Sequence, residues 1–261
     1  MNNTFNLKRF GMLFKKHTLE HGKTYALSSA VMFGVILLIL MFYCYMDRGF
    51  LREGDQVMIF VFAMAASGSI FGSIIFADLG DKTKAIPALM LPASHFEKYL
   101  VGLIYSYFIF LIVFVAAFYL ADVIVISIWD NELKHDKVIN LFDPDGKAVA
   151  AYKIFTLFHA FIFWGAIFFR KMHFVKTAIV FFLSLGALSL VNVFILNGYF
   201  AAQTKFSTGM PFTRIMIVQP DNFMTSLQPT DEFETYGKIV FVIVVLLFWT
   251  TTYFKLKEKE V

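Results

Sequence analysis

The side chains able to do chemistry in this 261-residue chain are few and scattered. Its six histidines, His17, His21, His95, His135, His159 and His173, fall in separate stretches. His17 and His21 stand one helical turn apart, a spacing at which two imidazoles can share a metal ion. No Glu follows His17, however, as the H-E-x-x-H pattern of a metalloprotease requires. There is no Gly-x-Ser-x-Gly elbow for a serine hydrolase and no Gly-x-x-x-x-Gly-Lys-Ser/Thr phosphate loop. Cys44 is the only cysteine, which excludes an intramolecular disulfide. The expectation is therefore a chain that is not an enzyme, with no catalytic residues, no metal site and no cofactor of its own.

What remains are polar groups set in apolar surroundings. His159 lies deep in one apolar run, and ionisable residues in such a place are candidates for function because burying charge is costly. Asp122 closes another run, and Asn192 and Asn197 lie toward the end of a third. These four are the candidates for a transport path. The competing reading is that they tie helices together by hydrogen bonds.

The runs that hold them are the dominant feature of the chain. Six apolar segments, 25–45, 57–77, 99–121, 152–169, 177–196 and 237–254, contain no Asp, Glu, Lys or Arg beyond Lys153 and Lys238 near their ends. A bilayer-spanning helix needs roughly 17–25 predominantly apolar residues. Six such runs in succession exclude a soluble domain. Composition agrees, at 59% hydrophobic against about 45–50% in soluble domains. The longest stretch between runs, 197–236, is too short for a separate catalytic core. The fold expected is an all-α polytopic membrane protein: residues 1–24 an interfacial amphipathic helix, 25–254 a six-helix transmembrane domain, and 255–261 a tail.

Orientation follows from the basic residues. With the amino terminus inside, the inner segments hold most of the 23 Lys and Arg, among them Lys8, Arg9, Lys15, Lys16, Lys23, Lys82, Lys84, Arg170, Lys171, Lys255 and Lys257. Most of the 19 acids fall outside. Both termini are thus expected in the cytoplasm, and the net charge of +4 is a topology signal. No basic patch interleaved with aromatics points to nucleic acid. In the amino-terminal helix, Leu7, Phe10, Leu13 and Phe14 share one arc, with Lys8, Arg9, Lys15 and Lys16 largely opposite. That pattern suits the boundary of a bilayer carrying anionic lipid.

Between the runs, Gly68 and Gly72 form a Gly-x-x-x-Gly packing motif whose partner helix is open. The inner loop 78–98 carries a short apolar piece with Ile86, Leu89, Met90 and Leu91, then Pro92, which no helix interior accommodates. Ser94 and Glu97 have capping-box spacing and predict that a helix starts near Ser94. The outer loops are 122–151 and 197–236. The second holds an apolar island, Ile215, Met216, Ile217 and Val218, which predicts membrane re-entry or packing over helix ends.

The segment Leu89-Met90-Leu91-Pro92-Ala93-Ser94-His95-Phe96-Glu97-Lys98, together with the six-run layout, resembles the membrane subunit of bacterial type-2 ABC exporters. There, a leucine-rich Leu-Pro-x-Ser pattern leads into the third helix. The family often has Arg after the Ser, where His95 stands here, and the upstream Gly-Thr pair is reduced to Gly80-Asp81-Lys82-Thr83. The resemblance implies that Ile86, Leu89, Met90 and Leu91 belong to a coupling helix docking on a separate ATPase subunit, which would bind the ATP. It further implies a homodimer or a pairing with a related permease, in the inner membrane of the cell, exporting a substrate. The alternatives are a non-transporting scaffold or sensor subunit and an ion-coupled carrier, the latter disfavoured by the lack of acids within the runs.

Overall fold

The structure is a computed structural model that describes residues 5–75, 93–129, 138–143, 147–169, 173–199, 205–206, 211–212, 215–218 and 224–259. Six helices in it are long and apolar enough to cross a membrane. They are α1 (Leu7–Met46), α2 (Glu53–Ile75), α3 (His95–Trp129), α4 (Lys147–Phe168), α5 (His173–Tyr199) and α6 (Asp231–Lys259). This is a multi-pass membrane protein. Each helix outruns its apolar segment at one end or both, because polar ends with good helix formers continue the same hydrogen-bond ladder into the headgroup region.

The largest difference from the sequence expectation is in α1. It is one helix of 40 residues and runs unbroken through residue 24. Nothing there stops it: Gly22 alone costs a helix only about 1 kcal/mol relative to Ala, and no proline accompanies it. At its start, Asn6 is extended, and its side-chain oxygen accepts from Lys8 N at 3.0 Å and Arg9 N at 3.3 Å. At its end the chain reverses through Arg48 (φ 55°) and Gly49 (φ 88°), and Gly49 N donates to the Cys44 carbonyl at 2.7 Å. The turn into α2 is pinned by Gln56, fully buried, whose Nε2 donates to the Leu51 carbonyl at 2.9 Å.

α1 packs along α3 and α2 along α4, while α4 also carries α5 and α6 on its other sides. The core between α1, α2, α3 and α4 is aromatic. Phe60 meets Phe114 and Phe118 with ring centroids 5.5 and 4.9 Å apart, and all three are fully buried. A second cluster joins Tyr99 and Leu103 of α3 to Phe163 and Ile167 of α4 and Leu256 of α6. α3 is α-helical over His95–Leu103 and Phe110–Trp129, with one π-helical turn, Ile104–Ile109, between.

The loop before α6 holds the departure from helix. Strands β1 (Lys205–Phe206), β2 (Ile215–Val218) and β3 (Met224–Leu227) form an antiparallel sheet in that order, with Ile215 opposite Leu227 and Lys205 opposite Val218. The apolar island is β2, whose branched residues suit a strand. Phe212, in the same loop, lies over the start of α6, its ring centroid 4.9 Å from that of Phe233.

Candidate functional site

Three polar assemblies stand out. The first joins the starts of two helices. Ser94 is the extended N-cap of α3; its hydroxyl accepts from Glu97 N at 3.2 Å, and Glu97 Oε2 accepts from Ser94 N at 2.9 Å. The expected capping box is therefore present. Its carboxylate does more than cap, however. Arg9 grips both oxygens, Nε donating to Oε2 at 2.7 Å and Nη2 to Oε1 at 2.8 Å, and Asn6 N donates to Oε1 at 2.8 Å. The Glu97 side chain is fully buried, a state an ionised carboxylate tolerates only when paired and hydrogen-bonded. Its negative charge also lies at the amino ends of α1 and α3, where helix dipoles favour it. One side chain thus clamps the amino-terminal helix to the segment that directly follows the loop between α2 and α3.

The second assembly lies a few turns farther along α1 and α3. His17 Nε2 is 2.8 Å from the Tyr25 hydroxyl, and its ring packs at a tilt against Tyr105, centroids 4.5 Å apart. Thr18 hydrogen-bonds the Tyr105 hydroxyl, Phe14 packs on the same ring at 4.9 Å, and Tyr25 reaches Phe71 of α2 at 5.1 Å. The His17 and His21 rings, 4.7 Å apart, belong to this aromatic cluster. Among the described residues no group of three metal-ligating side chains converges. Of the arc expected to face lipid, Phe10, Leu13 and Phe14 are half-buried, while Leu7 at the start of α1 is exposed.

The third assembly is a polar seam between α3, α4 and α6. The wide π turn presents Ser106 and the next residue, Tyr107, toward the same neighbour. Ser106 Oγ is 3.0 Å from His159 Nε2, and the Tyr107 hydroxyl is 2.8 Å from Thr156 Oγ1. Thr156 also donates to the Tyr152 carbonyl, so positions 152, 156 and 159 mark one polar stripe on α4. Trp249 of α6 closes the seam, 5.5 Å from the Tyr107 ring and 6.4 Å from that of His159. π turns recur at functional sites, and here the turn brings two consecutive hydroxyls to two partners on α4. Opposite them α2 approaches closely. A Cβ at Gly68 would overlap the Phe155 ring, and one at Gly72 would lie 3.5 Å from Ile162 and 3.9 Å from His159. The partner of the Gly-x-x-x-Gly motif is therefore α4 of the same chain.

The four candidate path residues are not brought together. His159 is buried in the seam, 1% exposed. Asp122 is buried elsewhere, toward the carboxyl end of α3, where Oδ2 accepts from Ile139 N at 3.2 Å and so holds the segment 138–143 against the helix. Asn192 is half-buried and Asn197 exposed, both on α5. Ile86, Leu89, Met90 and Leu91 lie outside the described residues. The sequence offers Arg9 only as one of the basic residues facing the bilayer boundary, and it does not single out Ser106, Tyr107, Thr156 or Trp249. No local signal marks them, since each acquires its role from a residue on another helix. Compared with protein-family models, with curated proteins and with solved structures, the chain matches none.

Proposed function

We propose that this chain is the permease subunit of an ABC-type exporter, moving a substrate across the inner membrane with energy from a separate ATPase subunit. In this reading both termini face the cytoplasm, two copies or two related permeases pair, and the chain itself binds no nucleotide. The observation that carries the reading is the Glu97 clamp. It makes the start of α3 and the start of α1 one mechanical unit directly after the inner loop that holds Leu89 and Met90. A force applied to that loop by a partner would reach both helices at once, as a coupling segment requires. The six spanning helices and the capping box at Ser94 and Glu97 fit the same architecture.

Within this reading, substrate does not pass through the His159 seam as packed. Rings fill it, and His159 acts first as a tie between α3 and α4. Asn192 and Asn197, on the peripheral helix α5, are better placed for a path shared with a second subunit.

The test is gentle extraction of the tagged chain from native membranes and identification of what co-purifies. An ATPase subunit in stoichiometric amount, lost on Leu89→Asp with Met90→Asp while membrane insertion persists, supports the proposal. A clean homo-oligomer without a nucleotide-binding partner overturns it in favour of a scaffold or an ion-coupled carrier.

A further inference from the structure

One side of α1 stays uncovered along nearly its whole length. Steps of three or four residues keep to one helix face, and Met12, Lys16, Leu19, Lys23, Leu27 and Val31 follow such steps, every one exposed. Beyond Leu27 the face continues through Leu38 and Phe42, 66% exposed each, and is wholly apolar. On a spanning helix that is a surface for lipid tails. Before Leu27 its character changes. Lys8, Lys15, Lys16 and Lys23 surround Met12 and Leu19, which are 59% and 73% exposed.

This stretch is strongly unbalanced in charge. Its one acid, Glu20, lies 3.6 Å from Lys16, while Lys8, Lys15 and Lys23 form no ion pair with the described residues. The opposite face is already occupied, since Phe14, His17 and Tyr25 all pack on Tyr105. The aromatic arc is therefore spent on α3, and the lysine face is what α1 has left for its surroundings.

We propose that this lysine face binds the anionic phospholipid headgroups of the leaflet around the amino-terminal end of α1. The occupant is set by continuity: lipid tails cover the same side of the same helix from Leu27 onward, so headgroups come next. Leu19, about 12 Å along α1 from Leu27 at 1.5 Å per residue, enters the headgroup boundary. Lys16 and Lys23 lay their aliphatic stems beside it and carry ammonium groups to the lipid phosphates, and Lys8 and Lys15 add their attraction from farther out. The proposal does not depend on the exporter reading.

The experiment uses the full chain with Cys44→Ala and Leu19→Cys, the new thiol carrying an environment-sensitive fluorophore. It is placed in nanodiscs of phosphatidylcholine, with or without phosphatidylglycerol, and quenching by brominated lipid is read. The expected result is a blue-shifted, quenched label in the anionic discs alone. Lys8→Gln with Lys15→Gln, Lys16→Gln and Lys23→Gln should abolish that difference while elution and melting stay unchanged. A water-exposed label in both discs, whether the face is solvated or reserved for an acidic protein, overturns the proposal. So does equal quenching in both discs, which is apolar insertion without headgroup recognition. A second readout avoids the label: native mass spectrometry should find phosphatidylglycerol retained by the unsubstituted chain and lost from the four-lysine variant, and equal retention also overturns the proposal.

Discussion

α4 and α5 are consecutive spanning helices of similar length, yet they are used in opposite ways. In α4, 56% of the spanning window is buried inside the protein; in α5 the figure is 0%. The buried helix is the less apolar of the two. A soluble protein would sort them the other way. In lipid, an apolar side chain gains little by leaving the tails for a protein interior, so greasiness does not select the central helix. Close packing and hydrogen bonds do. α4 offers both, with Thr156 and His159 facing the π turn and Gly165 letting α5 approach so closely that a Cβ there would overlap Thr177. Thr177 is in turn the one buried residue among the described side chains of α5.

The contrast can be broken most directly by emptying each helix of a ring. Phe155→Ala in α4 removes a fully buried side chain and is expected to cost about 3–5 kcal/mol in unfolding from mild detergent. Phe182→Ala in α5, 65% exposed, should stay within about 0.5 kcal/mol. Comparable losses in the isolated protein would show that α5 is no peripheral helix.

A glycine pair sharpens the comparison to a difference of sign. Gly68→Ala pushes a methyl into Phe155, whose ring is held by Tyr107 and Phe110, and should destabilise by about 1–3 kcal/mol. Gly186→Ala in α5 meets nothing within 4 Å and should stabilise by up to about 1 kcal/mol through helix propensity. Melting curves of the two variants, recorded side by side, decide it.

The smallest effect belongs to the seam. A double-mutant cycle of His159→Ala and Ser106→Ala is expected to give a coupling of about 0.6 kcal/mol, with about 1.7 kcal/mol as the upper range for hydrogen bonds between membrane helices. A coupling indistinguishable from zero would mean that His159 is held by ring packing alone and that the π turn has another cause.

Much of this was open to a reader of the sequence. The six spans are visible because lipid leaves no alternative to a helix of sufficient apolar length, and the start of α3 is visible because Ser94 and Glu97 satisfy each other's backbone within four residues. The apolar island at Ile215–Val218 reads as membrane re-entry or packing over helix ends, whereas it pairs as β2 of a small sheet, which needed strands from elsewhere in that loop. The amino-terminal segment misled in an instructive way. Its Phe10 and Phe14 stripe reads equally well as a lipid-facing or a protein-facing arc, because periodicity states that a face is apolar and says nothing of what covers it.

The residues alone therefore determined the number of spanning helices, the capped start of α3 and the small-residue surface on α2. Each of these is a local property, set by composition or by spacing within a turn or two. The tertiary structure decided that Gly68 and Gly72 meet α4, that Glu97 holds Arg9 across 88 positions, that Ser106 finds His159, and that α5 rather than α4 lies at the periphery. Those choices pair groups far apart in the chain, among helices that are all apolar enough to span. They are settled by shape and by the need of buried polar groups for partners, neither of which hydropathy records.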